Sequence, residues 1–182
     1  MTKVELDKIL PAAKKIDAIY PYTDPIKGES TMLILSNGLE RELPSVSLTL
    51  VATIYAQRED KDYKALTKAY RQKPLARLSP SIPISLELML TPLKYRKVNR
   101  PHQMGFAFIN TSHRFELLAE NRRSPATIRF SSSAELKLIT SYSAAYNRLS
   151  EARAMYFSRL FNVESRLLAA KKEFVQNKNY LL

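Results

Sequence analysis

The last stretch of the chain constrains the fold most. From Tyr142 to Leu182 there is no glycine and no proline, so nothing in it interrupts a helix. Within it Ala145, Leu149, Ala152, Tyr156, Leu160, Val163, Leu167, Ala170 and Phe174 recur at steps of four or three. Apolar residues at that spacing form one stripe along an α-helix, and so long a stripe requires a covering surface. The chain's own core can supply it if the helix folds back at Asn162; a second chain is the alternative. In a homodimer or higher assembly, Leu160, Val163, Leu167 and Phe174 are the positions that meet the partner.

Upstream, the pattern changes to short strands. "STMLILSNGLERELP" (30–44) predicts a hairpin in which Asn37 and Gly38 supply the positive backbone angles of a tight turn. "SLTLVATIYAQ" (47–57) then predicts a buried, serine-capped helix. "TIRFSSSAELKLI" (127–139) repeats the arrangement with a serine turn, and a helix begins at Ser141 or Ser143. Strands are also read at "KIDAIYPY" (15–22), "ISLELML" (84–90) and "GFAFIN" (105–110), whereas the first residues read as a polar lead-in. The expectation is an α+β chain with a mixed or antiparallel sheet, two hairpin-plus-helix units and a long C-terminal helix. It forms a single domain over 1–182, with lobes at about 15–73 and 82–161 and a helical extension from 162 to 182.

Several kinds of chemistry are excluded by what the chain lacks. It has no cysteine, so disulfides, thiolate metal sites and cysteine nucleophiles are ruled out. Its three glycines, Gly28, Gly38 and Gly105, cannot form a phosphate-cradling loop. His102 and His113 lack metal-ligand spacing and are read as loop or surface residues without acidic partners. No serine sits in a nucleophile elbow. The reading is a non-enzyme without cofactor or metal. "MTKVELDKIL" lacks a signal-peptide layout, and "LTLVATIYA" is about half a membrane span, so the expected setting is cytoplasmic with no membrane partner.

What remains is charge. The formal net charge is +12 over 182 residues, which creates a field that attracts polyanions, nucleic acid foremost. Two sequences concentrate it. A helix from Asp60 places Lys61, Lys64, Lys68 and Arg71 on one face and Tyr63, Leu66 and Tyr70 on the other. "KYRKVNRPHQ" (94–103) carries Lys94, Arg96, Lys97 and Arg100 with no acid. Beside it, "GFAFI" matches the centre of the aromatic strand of RNA-recognition-motif proteins, which raises single-stranded RNA binding as an alternative. That strand should be preceded by Lys or Arg and end on an aromatic; here those positions are Met104 and Thr111. Phe106 and Phe108 facing a core is the competing account.

The order of "YAQR" (55–58), "KP" (73–74), "SPSIPISL" (79–86), "RPHQMGF" (100–106) and "FSSSAELKLITSYSAAYNRL" (130–149) resembles the competence transcription factor family, ComK, over roughly Lys15 to Phe161. The resemblance implies an activator of DNA-uptake genes that binds paired A+T-rich boxes of double-stranded promoter DNA as a dimer, largely through the minor groove. The basic loop is longer here than in that family, and Phe106 stands where a Trp is more familiar. A proteolytic adaptor is a partner of that family, but the tail after Phe161 has no recognisable version of its docking segment.

With duplex DNA implied in this way, the basic residues take on roles. A-tracts narrow the minor groove and deepen its negative potential, and Pro101 biases Arg100 towards the extended conformation of an arm. Lys94, Arg96, Lys97 and Arg100, with Tyr95 in the same run, form the expected groove-seeking arm. Asn99 and Gln103 are placed to reach base edges. Lys61, Lys64, Lys68 and Arg71 are assigned to phosphates, which position the protein without specifying sequence.

Overall fold

A chain that must turn between apolar runs needs a residue tolerating the left-handed region, and two hairpins here meet that need in the same way. In the computed structural model the described residues are 2–24, 26, 28–71, 80–98 and 105–178, with side chains in the last helix described as far as Lys171. Strands β1 (Ile16–Asp24), β2 (Gly28–Leu35) and β3 (Glu40–Leu43) form an antiparallel meander. Its second turn is closed by Gly38 N donating to Leu35 O (2.8 Å) and Leu35 N to Leu39 O (2.9 Å). Gly38 has φ +83°, whereas Asn37 is not in the positive region. One left-handed residue therefore makes this turn, not the two expected of the Asn-Gly pair.

Strands β4 (Ile82–Pro83), β5 (Met89–Lys94) and β6 (Phe106–Asn110) follow, and then β7 (Phe115–Leu118), β8 (Pro125–Phe130) and β9 (Glu135–Ser141). The β8–β9 turn repeats the first, with Ser133 N donating to Phe130 O and Phe130 N to Ala134 O, both 2.9 Å. Ser133 takes the left-handed angle, φ +68°. The two turns also touch, since a Cβ at Gly38 would lie 3.3 Å from the Ser132 carbonyl oxygen.

Each hairpin leads into a helix. Ser47 caps α2 (Leu48–Gln57) by accepting from Leu50 N at 3.2 Å. The helix after β9 is α4 (Tyr142–Lys178). There Ser143 donates its backbone N–H and its hydroxyl to Arg122 O, at 3.1 and 3.0 Å, and so binds the helix start to the β7–β8 loop.

The sheets are a six-stranded one, ordered β3-β2-β1-β6-β5-β4, and a three-stranded one, β7-β8-β9, both antiparallel throughout. The six-stranded sheet is the middle layer. One face carries Ile19, Leu33, Leu90 and Phe108 and packs against α2 and α3 (Tyr63–Arg71). The other carries Ala18, Ile34, Ala107 and Ile109 and packs against β8, β9 and the start of α4. Burial on both faces explains why the first six residues of β1 are buried without alternation. The β1–β6 pairing makes the sheet continuous across the 73/82 division of the sequence.

Several elements differ from their sequence reading. The polar lead-in is a helix, α1 (Lys3–Ile9), because Thr2 and Glu5 form a reciprocal capping box and Leu6 and Leu10 enter the core. Arg58 fastens it with an ion pair to Asp7 at 2.7 Å and hydrogen bonds to the carbonyls of Asp7, Leu10 and Pro11. The strand expected at 84–90 begins at Met89. Ile84 N and Ser85 N both bond Leu88 O (3.0 and 3.1 Å), which turns the chain first. Finally, α4 does not fold back at Asn162. Ala145, Leu149 and Ala152 are buried, but Phe161 and Leu167 are 69% and 67% exposed. No described helix is long and apolar enough to cross a membrane.

Buried Asn110 joins three parts of the sheet. Its Nδ2 donates to Ile16 O (2.8 Å) and Glu87 O (2.9 Å), while Oδ1 accepts from Met89 N (3.0 Å) and Ser112 Oγ (2.7 Å). Asn110→Ala leaves several buried backbone groups without partners, at about 1–3 kcal/mol each. The expected loss of stability is about 3 kcal/mol in urea unfolding, and Asn110→Asp, which has no donor, recovers little of it. A loss under about 1 kcal/mol would show these bonds to be replaceable.

Candidate nucleic-acid interface

The α3 helix starts where Asp62 Oδ1 accepts from Lys64 N (2.7 Å) and Ala65 N (3.2 Å). An acid there complements the positive end of the helix. Buried Tyr63, with Leu66 and Tyr70, packs onto the core, which turns Lys64, Lys68 and Arg71 outward. These three rim a groove of about 500 Å³ between α3 and the six-stranded sheet, floored by Ile82, Pro92, Phe106 and Phe108. No carboxylate lines it among the described residues.

Lys61 does not join them. Its ammonium donates to Ile84 O, which ties the α2–α3 connection to the turn before β5. Phe106 is half-buried in the groove floor, while Phe108 is buried in the core beneath the helices. The open aromatic sheet face of an RNA-recognition motif is therefore absent at these two residues, because α2 and α3 cover that side.

The groove ends at the root of the basic loop. Lys94 pairs with Phe106, and because Leu93 enters the opposite core, strand alternation sends Lys94 out on the groove side. Tyr95 returns to the other side and packs on Tyr20 with ring centroids 5.2 Å apart. Tyr20 in turn donates its hydroxyl to Glu40 Oε1 at 3.1 Å. Arg96 bonds Thr23 Oγ1 at 2.6 Å and pairs with Glu29, so the β1–β2 hairpin holds it. Both Tyr95 N and Arg96 N bond Gly105 O, at 2.9 and 3.3 Å, and close the loop at its base. A Cβ on Gly105 would lie 2.7 Å from Val98 Cγ2, so glycine permits this close return. Lys97 and Val98 are exposed. Asn99, Arg100, Pro101, His102 and Gln103 lie outside the described residues.

The structure thus brings Lys64, Lys68, Arg71 and Lys94 to one side of the sheet. Arg96 anchors the loop root, and Lys61 serves the turn before β5. Leu160, Val163 and Leu167 lie apart from the groove on the projecting part of α4, where Leu160 is half-buried and the other two are exposed. The Phe174 side chain is outside the described set. The groove floor and the Glu29 latch were not anticipated, since Glu29 lies 67 positions from Arg96 and no local spacing marks it. His113 does have an acidic partner, with Nδ1 2.7 Å from Oδ1 of buried Asp17. No group of three or more potential metal ligands occurs among the described residues. Comparisons with protein-family models, curated proteins and solved structures gave no match.

Burial, and then the Glu40 carboxylate, push the Tyr20 phenol well above its ordinary range; burial also raises Tyr95, against the opposing charge of Arg96. Stability linked to these raised values is complete below about pH 10, the ordinary phenol value, and is lost as pH rises through the folded values. In a spectrophotometric titration, Tyr95→Phe is expected to remove an ionisation from the part above about pH 10. Removal of a phenol titrating near pH 10 would mean that the loop root is open to water.

Proposed function

We propose that this protein is a double-stranded DNA-binding transcriptional activator of DNA-uptake genes, of the competence type, acting in the cytoplasm and selective for A+T-rich boxes. The observation that carries the reading is the acid-free row of Lys64, Lys68 and Arg71 along a groove that ends at Lys94 and the basic loop. The competence identity and the A+T preference come from the ordered motifs in the sequence. The α3 cations meet phosphates and fix position. The loop beyond its closed root, with Lys97 and Arg100, enters the narrow minor groove, where cations respond to the deep potential of A-tracts. Arg96 holds the loop in place through Glu29, and Lys61 supports the scaffold. Two linked copies gain affinity on paired boxes because the second contact is intramolecular.

Two measurements on purified protein and labelled duplexes test this reading. Changing Lys64 and Lys68 to Ala is expected to weaken A+T-rich and G+C-rich duplexes alike. It should also flatten log affinity against log salt by about 0.9 for each phosphate that is no longer neutralised. An unchanged slope assigns that face to solvent. Changing Lys97 and Arg100 to Ala is expected to weaken the A+T-rich duplex more than the G+C-rich one, whereas equal effects on both would reduce the loop to a phosphate-binding element. Tighter binding of single-stranded RNA than of any duplex would favour the RNA-binding alternative instead.

A further inference from the structure

The apolar stripe of α4 changes period where the helix leaves the body. From Ala152 to Tyr156 to Leu160 the steps are four and four, but from Leu160 they run three, four, three, four through Val163, Leu167, Ala170 and Phe174. The second pattern is a strict heptad with Leu160, Leu167 and Phe174 at a and Val163 and Ala170 at d, the seam of a two-stranded coiled coil. The structure divides at the same place. Ala145, Leu149 and Ala152 are buried against the body, whereas Val163 and Leu167 are 38% and 67% exposed.

The flanking charges select the partner and its direction. Glu164, Lys171 and Lys178 occupy e positions, and Arg159, Arg166 and Glu173 occupy g positions; Arg159 is bonded to Pro83 O. Suppose a second copy runs antiparallel with Leu167 opposite its Ala170. The e residues then pair Glu164 with Lys171 of the second copy, and the g residues pair Arg166 with Glu173 of the second copy. Symmetry repeats both pairs, and all are attractive. The seam also sets large against small, Leu167 on Ala170 and Phe174 on Val163. In a parallel pair each g residue meets the e residue five positions on. Arg159 would attract Glu164 and Glu173 would attract Lys178, but Arg166 would face Lys171, a like-charge contact that the antiparallel register avoids. We infer that the projecting half of α4 pairs with the same segment of a second copy as an antiparallel coiled coil, in the register that sets Leu167 against Ala170.

The inference stands without DNA binding, and its test uses the full chain alone. The wild type is expected to sediment as a dimer. Glu164→Lys and Lys171→Glu each replace two attractive contacts by two repulsive ones, which is expected to raise the dissociation constant about tenfold. Both positions are exposed, so the folds should be unchanged by circular dichroism. Mixing the two variants should restore dimers, because every reversed pair is then opposite in sign. Leu160→Cys, in a chain with no other cysteine, should not cross-link, because the two copies of residue 160 lie about 25 Å apart in this register. A wild type that stays monomeric at about 100 μM, a mixture no tighter than its components, tighter association of Lys171→Glu alone, or ready cross-linking at 160 would each overturn the proposal.

Discussion

The architecture depends on one buried side chain at a short seam. Strands β1 and β6 meet at only two register positions, Ala18 opposite Ile109 and Ile19 opposite Phe108. That contact joins the first meander to β4–β6 and so makes one middle layer with a core on either side. Two ladder positions are little to specify a register, and Asn110 supplies the remaining directionality. Its amide donates to β1 and to the turn before β5 and accepts from the start of β5 itself. A slip of one residue would send this polar group to the wrong face and leave buried backbone groups without partners.

Much of this fold was legible because its determinants are local. The Ser47 cap, the left-handed Gly38 and the inward side of α3 each follow from the next few positions. What was missed is non-local or conflicts with a local pattern. "ISLELML" has the alternation of a strand, but a backbone bond from Ile84 to Leu88 turns half of it. The lead-in is stabilised as a helix by Thr2 and Glu5 only once Leu6 and Leu10 have a core to enter. The α4 stripe was legible throughout, but whether its outer half folds back was not, since that depends on where the body stops. Among the site residues, Lys64, Lys68 and Arg71 fell together as their spacing predicted. Arg96 and Lys61 did not, because the acceptors holding them, a distant carboxylate and a backbone carbonyl, leave no trace in local spacing.

These internal duties do not cancel the field of the protein. A cation bonded to a neutral carbonyl, such as Lys61 on Ile84 or Arg159 on Pro83, retains its charge. Arg58 and Arg96, paired with Asp7 and Glu29, are compensated locally. Arg148, bonded to Pro92 O, covers the outer edge of β5. Because Pro92 has no N–H to offer, only its carbonyl faces that way, and a guanidinium suits it better than another strand would. A guanidinium thus guards an edge.

The closed root of the basic loop also fixes a length. With Arg96 latched to Glu29 and bonded to Gly105, eight residues, 97 to 104, remain between the closing points. A closed excursion of that size spends half its residues going out and half coming back. Covalent geometry limits any such return between two fixed residues to a reach of about 15 Å, at about 3.3 Å per extended step. That exceeds the depth of a minor groove, about 7.5 Å, but falls far short of the next groove, about 34 Å away along the duplex. On the proposed DNA-binding function, each copy would therefore probe one groove at one place, and a longer stretch of sequence would be spanned by adding copies.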